Sequence, residues 1–140
     1  MTKSKGFTII ELIVVIAIIA VLATIVLVNV TQYIAKGKNA SIQGNLSTIL
    51  TNSAVHYDQN SSVYTTFAAS TSYSQPAAAA ASSGGTVTNA LAVDNSKFCV
   101  ISTMNVTNTE PTGTKYCVDS SGNKVKSTTT ACALGICAIP

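Results

Sequence analysis

A chain of 140 residues has room for one modest domain, and any stretch given to a membrane or an assembly shrinks the globular part further. Hydrophobic residues make up 47% of it and charged residues only 9%, while a net charge of +3 is too small to argue for nucleic acid by bulk electrostatics. The apolar residues are not spread evenly, as they would be in a protein lying mostly within a membrane, but form a single N-terminal run ahead of a chain dominated by Ser, Thr, Asn and Ala.

The first six residues carry Lys3 and Lys5 and nothing acidic. The next acid is Glu11, and from Leu12 to Ala23 every residue is apolar, with the run resuming after Thr24. A helix over residues 7–30 would rise about 36 Å at about 1.5 Å per residue, enough to cross a hydrocarbon core of about 30 Å. The flanking lysines predict a cytoplasmic N-terminus and an exported remainder. A cleaved secretory signal should place small residues after its apolar stretch, whereas Val21-Leu22-Ala23-Thr24-Ile25-Val26 continues into β-branched residues. A plain anchor has no use for a carboxylate, which costs on the order of 2.5–3.5 kcal/mol at the centre of a membrane helix and less near an end. Glu11 therefore needs a partner, unless it merely complements the helix macrodipole in the first turns or reaches the headgroups.

The residues Lys5-Gly6-Phe7-Thr8-Ile9-Ile10-Glu11-Leu12 resemble the processing site of type IV prepilins and pseudopilins: a short basic leader ending in Gly, then Phe, a Thr-hydrophobic-hydrophobic-Glu stretch and a long apolar run. The resemblance covers roughly residues 1–60. It implies that a membrane-embedded prepilin peptidase removes leader 1–6 by cutting between Gly6 and Phe7 and that the new Phe7 amine is methylated. It also implies that Glu11 pairs with that amine on a neighbouring subunit, docking the helices in register. The partners implied are further copies of the chain in a helical filament, the peptidase, the pilus assembly machinery and, before assembly, the cytoplasmic membrane. The subunit would end in an extracellular filament serving adhesion, twitching motility or DNA uptake. The absence of a side chain on Gly6 fits the processing, since an extended backbone enters a narrow cleft there without conflict. Two departures stand out: Val28 where many members carry proline, and Ala20 where glycine is common. The run Ile25-Val26-Leu27-Val28 has modest helix propensity, so local melting on assembly needs no proline.

Beyond Val30, apolar residues at Ile42, Leu46, Ile49, Leu50 and Tyr57 fall on one helical face, predicting an amphipathic continuation over 31–58 with Gly37 and Gly44 as weak points. Residues 59–90, with Ser61-Ser62, Thr65-Thr66, an Ala77–Ala81 run after Pro76 and Ser82-Ser83-Gly84-Gly85, read as a Ser/Thr/Ala-rich connecting loop, either an inert connector or an exposed, variable face. Residues 91–140 turn strand-like, in Lys97-Phe98-Cys99-Val100-Ile101-Ser102, in Lys115-Tyr116-Cys117-Val118-Asp119 and, after the turn Ser120-Ser121-Gly122-Asn123, in Lys124-Val125-Lys126. Three or four antiparallel strands follow. The Tyr116–Gly122 stretch also resembles C-terminal segments of some pilins and pseudopilins.

Cys99, Cys117, Cys132 and Cys137 all lie in the C-terminal third, an even set behind an export signal, which favours disulfides over metal. Of three connectivities the reading favours Cys99–Cys117, joining two similar strand motifs, and Cys132–Cys137, closing a short loop. The spacings lack the paired Cys-x-x-Cys of a zinc site, and the one histidine, His56, reads as a boundary residue near the helix end rather than a ligand. No metal or cofactor is expected. A catalytic constellation lacks parts: one His, no Gly-rich phosphate loop and five acids, one of them inside the apolar run. Only Lys36/Lys38 and Lys124/Lys126 come as basic pairs, and both read as solvated faces, leaving a nucleic-acid partner without support. The expected fold is α+β, a long N-terminal helix packed by its second half on a small C-terminal antiparallel sheet. The expected role is a pilus subunit; the rivals are a minor pilin or pseudopilin of a secretion or competence system, and a monomeric single-span surface protein tethering a binding domain.

Overall fold

The computed structural model describes residues 6–138; the basic leader positions Lys3 and Lys5 lie outside them. Helix α1 runs over Ile9–Gln59, a short 3-10 turn over Phe67–Ala69 and helix α2 over Thr71–Ser82. Strands β1 (Val87–Leu91), β2 (Phe98–Thr103), β3 (Lys115–Asp119) and β4 (Lys124–Ser127) form a four-stranded antiparallel sheet in the order β1-β2-β3-β4. Strands β5 (Ala131–Ala133) and β6 (Ile136–Ala138) form a separate two-stranded hairpin. The fold is α+β, a long helix followed by a small antiparallel sheet. The chain divides into two compact units, Met1–Ile34 and Ala35–Pro140.

In the first unit every described residue except Gln32 is exposed, although nearly all are apolar. α1 is long and apolar enough here to cross a membrane. A continuous exposed surface of this kind requires a cover, lipid or protein, because water does not tolerate so large an apolar patch.

In the second unit α1 buries Asn39, Ile42, Leu46, Ile49 and Ser53, at alternating spacings of three and four that place them on one stripe. Ile42, Leu46 and Ile49 pack with Tyr64, Phe67, Ala80, Phe98, Val100 and Val118 into the main core. Phe67 and Phe98 meet edge to face with centroids 5.0 Å apart. Gly37 and Gly44 do not interrupt the helix. Strand β2 is buried over Phe98–Ile101 because both sheet faces are covered: Phe98 and Val100 point to the helix, Cys99 and Ile101 to a second cluster with Cys117 and Cys137. Asn39 replaces a strand partner for the chain leaving β2, donating to the carbonyl of Asn105 at 2.9 Å and accepting its N–H at 2.7 Å.

The segment 59–90 departs from the connecting loop read in the sequence, since it holds α2 and the start of β1. The Ala77–Ala81 run has the highest intrinsic helix propensity. Pro76 sits inside α2 without an N–H to give the carbonyl four residues back, Ser72, and Asn52 of α1 donates to that carbonyl instead at 2.7 Å. The strands at 98–103, 115–119 and 124–127 fall where the sequence placed them, whereas β1 begins at Val87, ahead of the expected boundary at 91.

Candidate functional site

The described part of the N-terminal motif begins with Gly6 and Phe7, outside any helix or strand and ahead of α1, Phe7 being 75% exposed. Thr8 is the N-cap of α1. Its hydroxyl accepts the Glu11 N–H at 3.3 Å, while the Glu11 carboxylate reaches back and accepts the Thr8 N–H at 2.8 Å and the Thr8 hydroxyl at 2.7 Å, both on Oε2. This is a reciprocal capping box, in which the cap and the third helical residue satisfy each other's orphan donors. Oε1 is not engaged by Thr8. Phe7, Ile10, Glu11, Val14 and Val15 line one shallow groove along the helix, so the carboxylate is the single ionic group on an apolar surface. Such a surface can take up an apolar helix and, through Oε1, one cation.

Sequence reasoning singled out Gly6, Phe7 and Glu11 and took Thr8 only as part of the motif, not as a helix cap. The signal was present, because Thr8-Ile9-Ile10-Glu11 is the Thr-x-x-Glu signature of a capping box directly before an apolar run.

The four cysteines form two disulfides, but not the pairs read from the sequence. Cys99 bonds Cys132, with Cα atoms 5.8 Å apart, and Cys117 bonds Cys137, at 5.9 Å. The favoured Cys99–Cys117 pairing fails on register: in the β2–β3 ladder Cys99 stands opposite Asp119 and Cys117 opposite Ile101, so the two are diagonal neighbours. Cys132 and Cys137 do face each other across β5–β6, yet each reaches out to a strand of the main sheet. Asp119, fully buried at the end of β3, accepts the Cys137 N–H at 3.0 Å, the Asn123 side chain at 3.0 Å and the Ser121 and Asn123 N–H groups. Burial opposes its ionisation, but these donors outweigh it and hold its pKa below the usual carboxylate value.

Of the basic pairs, Lys126 is not a free solvated charge: its Nζ lies 2.9 Å from Glu110 Oε1. Glu110 is 7% exposed, also accepts from the Thr107 and Thr109 hydroxyls, and titrates at about 2, chiefly through the Thr107 bond and then the Lys126 bond. His56 lies against Phe67, centroids 5.2 Å apart, with Nε2 3.2 Å from the Thr66 hydroxyl. Among the described residues, no group of three or more His, Cys, Asp or Glu converges as a metal site would require.

Residues 1–27 match the prokaryotic N-terminal methylation motif, the signature of type IV pilins, and α1 supplies the long apolar helix that accompanies it. No curated protein and no solved structure matches the chain. The motif points to a structural protein processed as a prepilin.

Proposed function

We propose that this chain is the structural subunit of an extracellular type IV pilus-like filament. Prepilin peptidase cuts between Gly6 and Phe7, removing leader 1–6, and the Phe7 amine is methylated. Residues 7–30 hold the precursor in the cytoplasmic membrane and afterwards form the filament core. Residues 31–58 continue the helix, and the rest, closed by the disulfide-stapled region, stands outside the cell. The observation that carries this reading is the methylation motif at residues 1–27 directly on an apolar segment, residues 7–30, whose one charged side chain is Glu11. Lipid covers that helix before assembly and neighbouring copies cover it afterwards. In the filament Glu11 pairs with the Phe7 amine of the next subunit, which neutralises two charges where an unpaired one is costly.

Intact-mass measurement combined with electron microscopy of sheared surface material tests the proposal. The expected result is a mature chain starting at Phe7 as the dominant protein of the filaments. A chain retaining Met1 would remove the prepilin reading. A processed chain scarce in the sheared fraction would be a minor pilin or pseudopilin, and one that stays with the membrane would be a tethered surface protein.

A further inference from the structure

The C-terminal hairpin β5–β6 differs from every other element of its unit in how it is attached. It lends no strand to the four-stranded sheet. The residues it adds to an apolar cluster are Cys132 and Cys137, whereas Ala131, Ala133, Leu134, Ile136 and Ala138 are exposed. The bonds that tie it to the sheet include Cys99–Cys132 to β2, Cys117–Cys137 to β3 and the Cys137 N–H donated to Asp119, all on the sheet face away from α1. At its tip Gly135, with φ of 74°, fits against Lys97, whose carbonyl would lie 2.5 Å from any added Cβ. The main core of Ile42, Leu46, Ile49, Phe67, Phe98 and Val118 contains no hairpin residue.

We infer that this hairpin is a redox-controlled flap, closed by disulfide formation over the outer face of β2 and β3 and released by a dithiol reductant while the helix–sheet core persists. Cys99, Cys117 and Cys137 are buried, whereas Cys132 is half-buried, which fixes where reduction starts. A thiolate of the reductant attacks Cys132 Sγ; the bond to Cys99 breaks, and its electron pair leaves on Cys99 Sγ, which takes up a proton. The reductant's second thiol then attacks the mixed disulfide, forming the reductant's own disulfide and freeing the Cys132 thiol. Two electrons and two protons thus pass to the protein for each bond. The Cys117–Cys137 bond is opened second, once the first strand of the hairpin has lifted. The inference rests on the exported location proposed above, because the flap closes only in an oxidising compartment.

The test uses the purified, processed full-length chain in detergent micelles, titrated with dithiothreitol, with alkylation of quenched samples and hydrogen exchange read by peptide mass spectrometry. Cys99 and Cys132 are expected to label before Cys117 and Cys137. In fully reduced protein, amides 131–138 lose protection, and those of residues 42–53 and 98–103 retain it. Simultaneous labelling of all four cysteines with loss of protection at 42–53 would show that the unit opens as one body and overturn the flap. Retained protection at 131–138 after reduction would overturn it equally. A Cys99→Ala/Cys132→Ala double variant, which keeps the second bond and the main core, should reduce at Cys117–Cys137 faster than the parent; an unchanged rate would sink the ordered release. A chain found unprocessed and inside the cell would instead defeat the exported reading and leave these exchange results standing.

Discussion

Glu11 illustrates how far one residue is legible. Its isolation in an apolar run announced a required partner, and the structure supplies one within the chain, the Thr8 cap. That cap is compatible with the proposed intersubunit pairing, since Thr8 binds Oε2 and does not occupy Oε1. Replacing Thr8 with Val keeps the backbone N–H but deletes the hydroxyl, which should cost about 1 kcal/mol at the helix start and reduce filaments without stopping cleavage, with Thr8→Ser restoring them. Filament counts beside the processed fraction would check this, and an unimpaired Val variant would leave the hydroxyl without a role. Glu110 was not singled out from the sequence: Thr107 and Thr109 are its chain neighbours, but Lys126 reaches it only when β4 is in place beside β3. Its folded pKa, about 2, lies below the ordinary 4.5. The stability it contributes is therefore fully present above about pH 4.5 and is lost as the pH falls from there toward 2. Glu110→Gln should flatten the acid limb of a denaturation profile over that window; an identical limb in both proteins would contradict the assignment.

The elements most clearly written in the sequence are those with one period over a long stretch. The spacing of Ile42, Leu46 and Ile49 predicted the buried stripe of α1, which the polar Asn39 and Ser53 extend, and short β-prone runs located β2, β3 and β4. Helix α2 was obscured by Pro76, since a proline inside a Ser- and Ala-rich stretch reads as a breaker. What permits the helix is a residue 24 positions earlier, Asn52, which satisfies the carbonyl that proline leaves without a donor. No local pattern could reveal that. Asn52→Ala should cost about 1 kcal/mol, the usual net worth of one hydrogen bond. In a Pro76→Ala background, where the restored N–H can reach Ser72, the same change should cost distinctly less. A double-mutant cycle by chemical denaturation of the full chain in micelles measures this coupling, and strict additivity would refute the compensation. The disulfide pairing was illegible for a related reason: proximity in sequence favoured Cys132–Cys137, but the register of β2 on β3 and the docking of the hairpin decide which sulfurs meet.

At the scale of the whole molecule, one unit buries its own core and the other exposes an apolar helix, so the chain is complete only when something else covers Ile9–Ile34. Lipid and neighbouring copies both supply an apolar cover, and Glu11 is the residue on which they disagree. In lipid its carboxylate is a cost that the Thr8 cap offsets in part, and removing it favours the span. In the proposed filament it would be the partner of the next subunit's Phe7 amine, and removing it would strand a cation in an apolar core. Glu11→Val should accordingly insert and be cleaved after Gly6, remain in the membrane at least as well as the parent, and fail to enter filaments. Glu11→Asp keeps the charge but shortens its reach, and should give fewer filaments rather than none. The measurement is filaments per cell by electron microscopy, read beside the processed protein held in the membrane fraction. A tethered monomer would respond in the opposite way, keeping or gaining membrane-held protein with no filaments to lose, so normal filaments in the Val variant would take Glu11 out of the assembly mechanism altogether.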